Sequence, residues 1–232
     1  MKKAEKNYLQ QSIIRWWVKN IIWLILIGTV LLIAAGKTDW TAAWFYLGAI
    51  LLVILINAIV MDPELMTERA SLQEGTARWD LYLSTFVALA GPLIAVIIAG
   101  LDQRYGWSAE VTLWQQLTAL LFFLAAGLLG AWAMAVNRFF SATVRIQNDR
   151  EHIVAKGGPY RVIRHPGYLA GMISILATPV MLESLTALIP ALLIAAIYII
   201  RTALEDSFLE KELPGYQDYQ SKVQYRLFPG IW

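Results

Sequence analysis

Arg164 and His165 stand side by side immediately before Pro166, at the end of the polar segment Gly157–Tyr168 and the start of an apolar run. Proline suits the first position of a helix, because the N–H it lacks would have no partner there. The pair is therefore expected at the mouth of a helix entering a membrane, where unpaired N–H groups and the positive dipole end favour an anion. The same region holds both histidines, His152 and His165, together with Arg161. Beyond two further apolar stretches come Arg201 and Glu205, four residues apart and so on one helix face. Tyr160, His165, Tyr168, Arg201 and Glu205 bracket the hairpin formed by those stretches and can converge when it closes. The plain alternative is a solvated basic surface beside anionic lipid headgroups, with an ordinary i,i+4 ion pair. A site of two histidines and a carboxylate matches no known metal-ligand spacing, and no metal is expected.

Such residues need elements to hold them, and the composition says what kind. Of 232 residues, 58% are hydrophobic and 16% charged, which indicates an integral membrane protein. The net charge of +2 gives no reason to expect a nucleic-acid partner. Without cysteine there is no disulfide, thiolate nucleophile or cysteine-based metal site. No small-residue cleavage site follows the first apolar run, which reads as a retained span.

Apolar spans are expected near Ile21–Ala35, Ala42–Val60, Leu81–Gly100, Leu113–Val136, Gly167–Leu182 and Leu185–Ile200. Several fall short of the ~20 residues that cross ~30 Å of hydrocarbon and need their flanks. Trp16 and Trp17 mark an interface ahead of the first. Glu183 and Ser184 leave room only for a tight hairpin between the last two, and Pro92 and Pro190 inside spans predict kinks. Asp62 and Pro63 are placed to begin a short surface helix, and Pro214-Gly215 to end the polar continuation from Arg201 to Glu212. The fold is then an all-α membrane protein of about six transmembrane helices, with four in residues 1–136 and two in the C-terminal region 137–232. Six spans put residues 1–20, 61–80, 137–166 and the tail from Arg201 on one side. These hold 17 of the 19 Lys and Arg residues; Lys37 and Arg104 are the others. The positive-inside rule places both termini and the polar region in the cytoplasm.

The residues quoted carry a resemblance. Gln147, His152-Ile153-Val154, Gly158-Pro159-Tyr160, Arg164-His165-Pro166-Gly167-Tyr168, Arg201 with Glu205-Asp206, and Gly215-Tyr216-Gln217-Asp218-Tyr219 with Val223 resemble the isoprenylcysteine carboxyl methyltransferase family. The similarity covers roughly residues 137–232, and Pro63-Glu64-Leu65 with Arg69 is more loosely similar to bacterial members. It implies an integral-membrane methyltransferase using S-adenosyl-L-methionine, with a cytoplasmic cofactor pocket capped by C-terminal helices. Gln147, His152, Ile153, Val154, Ala155, Tyr160, Arg164, His165, Pro166, Gly167, Tyr168 and Glu205 would bind the cofactor. Arg201 would face the methyl acceptor, and Arg201 and Glu205 would be the catalytic pair. The implied partner is a lipophilic or lipid-linked acceptor within membrane lipids, with a carboxylate first and a phospholipid amine second. Two rival classes remain: a steroid-reductase-like enzyme using NADPH, and a non-catalytic membrane scaffold.

The orientation is directly testable. In Lys37→Cys and Arg104→Cys variants the new thiol should react only with an external impermeant reagent, and in Lys156→Cys only from the cytoplasm. External labelling of the Lys156→Cys protein would reverse the assignment.

Overall fold

The computed structural model describes residues 2–71 and 74–232, with side chains from Asn7 onward. Met1 and the side chains of Lys2, Lys3 and Lys6, part of the basic N-terminal segment, lie outside the described residues. The order is α1 (Lys2–Ala35), α2 (Thr41–Val60), α3 (Pro63–Ala70), α4 (Arg78–Thr85), a π turn (Phe86–Ala90), α5 (Gly91–Tyr105) and α6 (Leu113–Val136). Two 3-10 turns, Asn148–Arg150 and Gly158–Arg161, interrupt the long connection to α7 (Pro166–Met181), α8 (Leu188–Glu212) and α9 (Tyr216–Lys222). No strand occurs among the described residues.

Five stretches are long and apolar enough to cross a membrane: Asn7–Ala35, Thr41–Val60, the continuous Arg78–Tyr105, Leu113–Val136 and Leu188–Glu212. The sixth expected span is α7, which has only 16 residues. At ~1.5 Å per residue it rises about 24 Å, short of ~30 Å of hydrocarbon. It nevertheless reaches from one end of the bundle to the other. Its start is bonded to Asp206 near the end of α8, and the hairpin after it is bonded to Asp102 near the end of α5.

Local chemistry sets the helix ends. Asp62 caps α3 by accepting the Glu64 N–H at 2.8 Å, with Pro63 in the first turn as expected. Thr112 and Gln115 form a reciprocal capping box at the start of α6. Pro92 donates no N–H and crowds the carbonyl four residues earlier. The chain absorbs this with the π turn just ahead of it, so α4 and α5 make one bulged helix. Pro190 behaves otherwise than the sequence suggests. Because α8 begins at Leu188, Pro190 lies in its first turn, where no intrahelical bond is lost. Where helices meet closely, small residues allow it: a Cβ on Gly100 would lie 2.6 Å from the Ala34 Cβ, so α5 can lie directly on α1.

Buried carboxylates tie off both ends. At one, Asp102 accepts from the Ser108 N–H at 2.7 Å and the Ser184 hydroxyl at 2.5 Å, which pins the α7–α8 hairpin to the α5–α6 loop. At the arginine-rich end, Asp206 is fully buried. It accepts from Arg164 Nε and Nη2 at 2.8 and 2.9 Å, from Tyr216 at 2.8 Å and from Arg226 Nε at 2.7 Å. His165 Nε2 at 3.0 Å and Gln220 Nε2 at 3.2 Å complete the shell. One side chain thus joins α7, α8, α9 and the C-terminal segment.

Asp206→Asn keeps the size and removes the charge facing two arginines. Loss of one partner from a buried ion pair costs about 3–5 kcal/mol. Thermal or denaturant unfolding in detergent should show a loss of that order. A change below about 1 kcal/mol would mean that the carboxylate does not hold these elements together.

Candidate functional site

A cavity of about 270 Å³ lies between α3, the bulged α4–α5 helix, the α6–α7 connection and the C-terminal ends of α8 and α9. That is close to the lower bound of small-molecule sites, roughly 300–1,000 Å³. Of the residues singled out from sequence, His152, Val154, Ala155, Tyr160, Arg164, His165, Gly167, Tyr168, Arg201 and Glu205 line it. They come from the connection, the start of α7 and one face of α8, so closing the α7–α8 hairpin brings them together.

Gln147, Ile153 and Pro166 stand back from the cavity wall. Gln147 is fully buried, donates to the Phe139 carbonyl at 2.7 Å and accepts from Arg150 at 2.8 Å, so it fixes Phe139, which does line the cavity. Ile153 is 63% exposed. Pro166 is fully buried at the start of α7.

Arg201 is not paired with Glu205. Its Nε and Nη2 donate to Asp80 of α4 at 2.7 and 3.1 Å, and its guanidinium lies 4.9 Å from the centre of the Tyr168 ring. Asp80 is fully buried and also accepts the Val144 N–H at 2.7 Å. Arg201 Nη1 takes part in none of these bonds and belongs to a cavity-lining side chain. Glu205 accepts the Tyr168 hydroxyl through Oε2, while Oε1 receives no donor among the described residues. Arg164 is committed to Asp206 and, through Nη1, to the Val223 and Gln224 carbonyls at 2.7 and 2.9 Å. It reads as a strut bordering the cavity. His165 shares Asp206 and stacks on Tyr168 with centroids 5.8 Å apart.

His152 packs against Phe139 at 4.5 Å, and its Nδ1 faces the Gln147 N–H at 3.4 Å. Burial, reinforced by Arg145 and Arg150, pushes its pKa down to about 4, so it is neutral at physiological pH. Burial also raises the Tyr160 phenol well above its ordinary value, which keeps its hydroxyl protonated beside Asn137.

Several lining residues were not singled out from the sequence. Phe139, Phe140 and Tyr198 line the cavity without any patterned spacing to reveal them. Asp80 had a signal: it is an acidic residue at the threshold of the Leu81–Gly100 apolar run, where an ionised group is costly and marks function or a partner. Among the described residues no group of three His, Asp or Glu side chains is placed to hold a metal ion.

Comparison with known proteins bears on the same region. The phospholipid methyltransferase family model matches residues 114–214, from the start of α6 through the end of α8. This is a membrane methyltransferase family related to the isoprenylcysteine carboxyl methyltransferases, in keeping with the resemblance in the C-terminal motifs. The chain is 32% identical over 101 residues to the nickel-cobalt-cadmium resistance protein NccN of Alcaligenes xylosoxydans xylosoxydans, covering 43% of this chain and 47% of that protein. It is 35% identical over 104 residues to the cobalt-zinc-cadmium resistance protein CzcN of Cupriavidus metallidurans, covering 43% and 46%. The matched segment thus spans about half the length of each curated relative.

The Arg201–Asp80 pair has a stability signature. Arg201→Met leaves a buried, uncompensated Asp80 and should cost about 3–5 kcal/mol. The double variant Asp80→Asn with Arg201→Met should recover much of that loss, since no lone charge remains. Additive losses in the double-mutant cycle would show that the two side chains are not coupled.

Proposed function

We propose that this chain is an S-adenosylmethionine-dependent membrane methyltransferase that methylates a lipophilic carboxylate from a pocket on the cytoplasmic face. The observation that carries the reading is the convergence of His152, Val154, Ala155, Tyr160, Gly167, Tyr168, Arg201 and Glu205 on one cavity. The match of residues 114–214 to phospholipid methyltransferases supports the reaction class. The concentration of Lys and Arg at the cavity end supports the orientation.

The donor set fits the cofactor. The free Oε1 of Glu205 suits an ammonium or ribose hydroxyls, the α7 N-terminus at Gly167 suits a carboxylate, and the Tyr160 and Tyr168 rings suit a sulfonium. When bound, S-adenosylmethionine supplies an electrophilic methyl group. The protein's own contribution is then positioning and exclusion of water. Arg201, held by Asp80 and laid over Tyr168, can present Nη1 to the acceptor in one fixed geometry. A carboxylate acceptor is already anionic at neutral pH, so no residue here has to remove a proton from it. An amine acceptor needs a base, and His152, with its pKa near 4, is a weak one. The family match by name keeps phospholipid N-methylation as the second reading, with Glu205 as the group that would take the proton.

S-adenosylhomocysteine should stabilise the purified protein in detergent, by roughly 2.7 kcal/mol at about one hundred times its dissociation constant. Glu205→Gln preserves an acceptor for Tyr168 but removes the charge. A charge-assisted contact is worth about 1.5–3 kcal/mol, so affinity should fall roughly tenfold to hundredfold. Stabilisation by NADPH in place of S-adenosylhomocysteine would move the chain to the reductase class, and response to neither would leave a scaffold.

A further inference from the structure

Four arginines line the cavity, and three of them have a carboxylate. Arg145 donates to Glu68 at 2.9 and 2.8 Å and to Asp149 at 3.0 Å; Arg164 is held by Asp206, and Arg201 by Asp80. Arg69 is the exception. Among the described residues no carboxylate oxygen lies within 4 Å of its guanidinium. The neighbouring Glu68 carboxylate is turned to Arg145 and Ser141. Arg69 Nη1 has the Phe140 carbonyl at 3.4 Å, and its guanidinium lies 5.3 Å from the centre of the Phe140 ring. The setting is positive as well: the Lys19 ammonium donates to the Arg69 carbonyl at 3.4 Å. A carbonyl dipole and a ring face compensate a partly buried cation only incompletely.

What surrounds Arg69 says which anion fits. The Phe140 ring that underlies it also abuts Gly167, where an added Cβ would lie 2.4 Å from the ring. One aromatic ring therefore separates Arg69 from the start of α7. The adjoining wall is apolar, formed by Val87 and Ala88 of the π turn and by the Tyr198 ring. Ala88 is exposed, so this wall is open at the surface of the bundle. An anion attached to an apolar body complements both parts.

We propose that Arg69 is a second anion-binding residue of the acceptor site, in addition to Arg201, and takes the carboxylate of a lipophilic molecule whose apolar part lies along Val87, Ala88 and Tyr198. The acceptor role rests on the methyltransferase reading; the anion site itself does not. A phospholipid phosphate shares the chemistry, so the test must separate the two sources.

The probes are dodecanoate and dodecanol, titrated against the full chain in neutral detergent and followed by thermal stability. Dodecanoate should bind roughly tenfold more tightly than dodecanol, the scale of one charge-assisted hydrogen bond. Arg69→Gln should remove that preference, Arg69→Lys should restore part of it, and S-adenosylhomocysteine affinity should stay within about twofold of the wild type in both. Equal binding of the acid and the alcohol, or an undiminished preference for the acid in Arg69→Gln, would overturn the proposal. Arg69→Lys serves the same comparison if the glutamine variant does not fold, because its ammonium cannot reproduce the guanidinium fork and should weaken dodecanoate binding selectively. Vesicles of phosphatidylglycerol and phosphatidylcholine provide the second arm. Arg69-dependent stabilisation by phosphatidylglycerol without any by dodecanoate would make this a lipid headgroup site and overturn the acceptor assignment. Arg69-dependent dodecanoate binding in a protein that ignores S-adenosylhomocysteine would support the anion site while refuting the methyltransferase reading.

Discussion

A carboxylate taken out of water has to recover the hydrogen bonds it loses, and Asp206 on α8 does so with six donors drawn from three other segments. The geometry at the arginine-rich end follows from that requirement. Arg164 and His165 can reach the carboxylate only if α7 starts beside α8. Tyr216 and Gln220 can reach it only if α9 folds back. Arg226 can reach it only if the C-terminal segment runs alongside Arg164, where the Tyr225 and Arg226 carbonyls accept the Arg164 and His165 N–H groups at 2.9 and 3.0 Å. The cavity wall is a by-product of satisfying one buried charge. Two arginines on one carboxylate also leave this corner positive, which favours an anion nearby without a dedicated binding loop.

The Arg201–Asp80 pair applies the same constraint to the other wall. A buried ion pair contributes little net stability, because desolvation offsets most of the attraction. What it supplies is position. The Nε and Nη2 edge is occupied by Asp80, the ring of Tyr168 covers one face, and among the described residues Nη1 has no acceptor. A side chain fixed in this way loses little entropy when it binds, which is the physical content of a preorganised site.

Much of this was legible in the chain, for reasons that can be named. Apolar length marked the spans, and Asp62-Pro63 and Pro214-Gly215 marked helix ends because their chemistry is local. The polar motifs from His152 to Tyr168 and the Arg201–Glu205 face pointed to one region, and most of those side chains line one cavity. What sequence spacing could not give was partnership across the bundle. Four-residue spacing suggests an Arg201–Glu205 pair, yet the partner of Arg201 lies 121 positions away, on α4. Adjacent Glu205 and Asp206 look alike in sequence but lie about 100° apart around α8, so one faces the cavity and the other is fully buried. Pro190 failed as a kink signal because helix boundaries are the least local feature of a span: a start at Leu188 turns a breaker into a first-turn residue.

Once the paired charges are set aside, the groups left for a ligand are few and ordered in space. Among the described residues, Glu205 has one oxygen without a donor, Arg201 one nitrogen without an acceptor, and Arg69 no carboxylate partner. Aromatic rings adjoin each of them: Tyr168 carries both the Glu205 contact and the Arg201 face, and Phe140 lies under Arg69 and against Gly167. The cavity is therefore polarised, with its free negative atom beside α7 and α8 and its free positive group beside α3. A cationic centre is best stabilised near Glu205 and an anionic one near Arg69. On the methyltransferase reading proposed above, a positively charged methyl donor near Glu205 and an anionic acceptor near Arg69 would be drawn toward each other across the cavity, as transfer of a positively activated group to an anion requires.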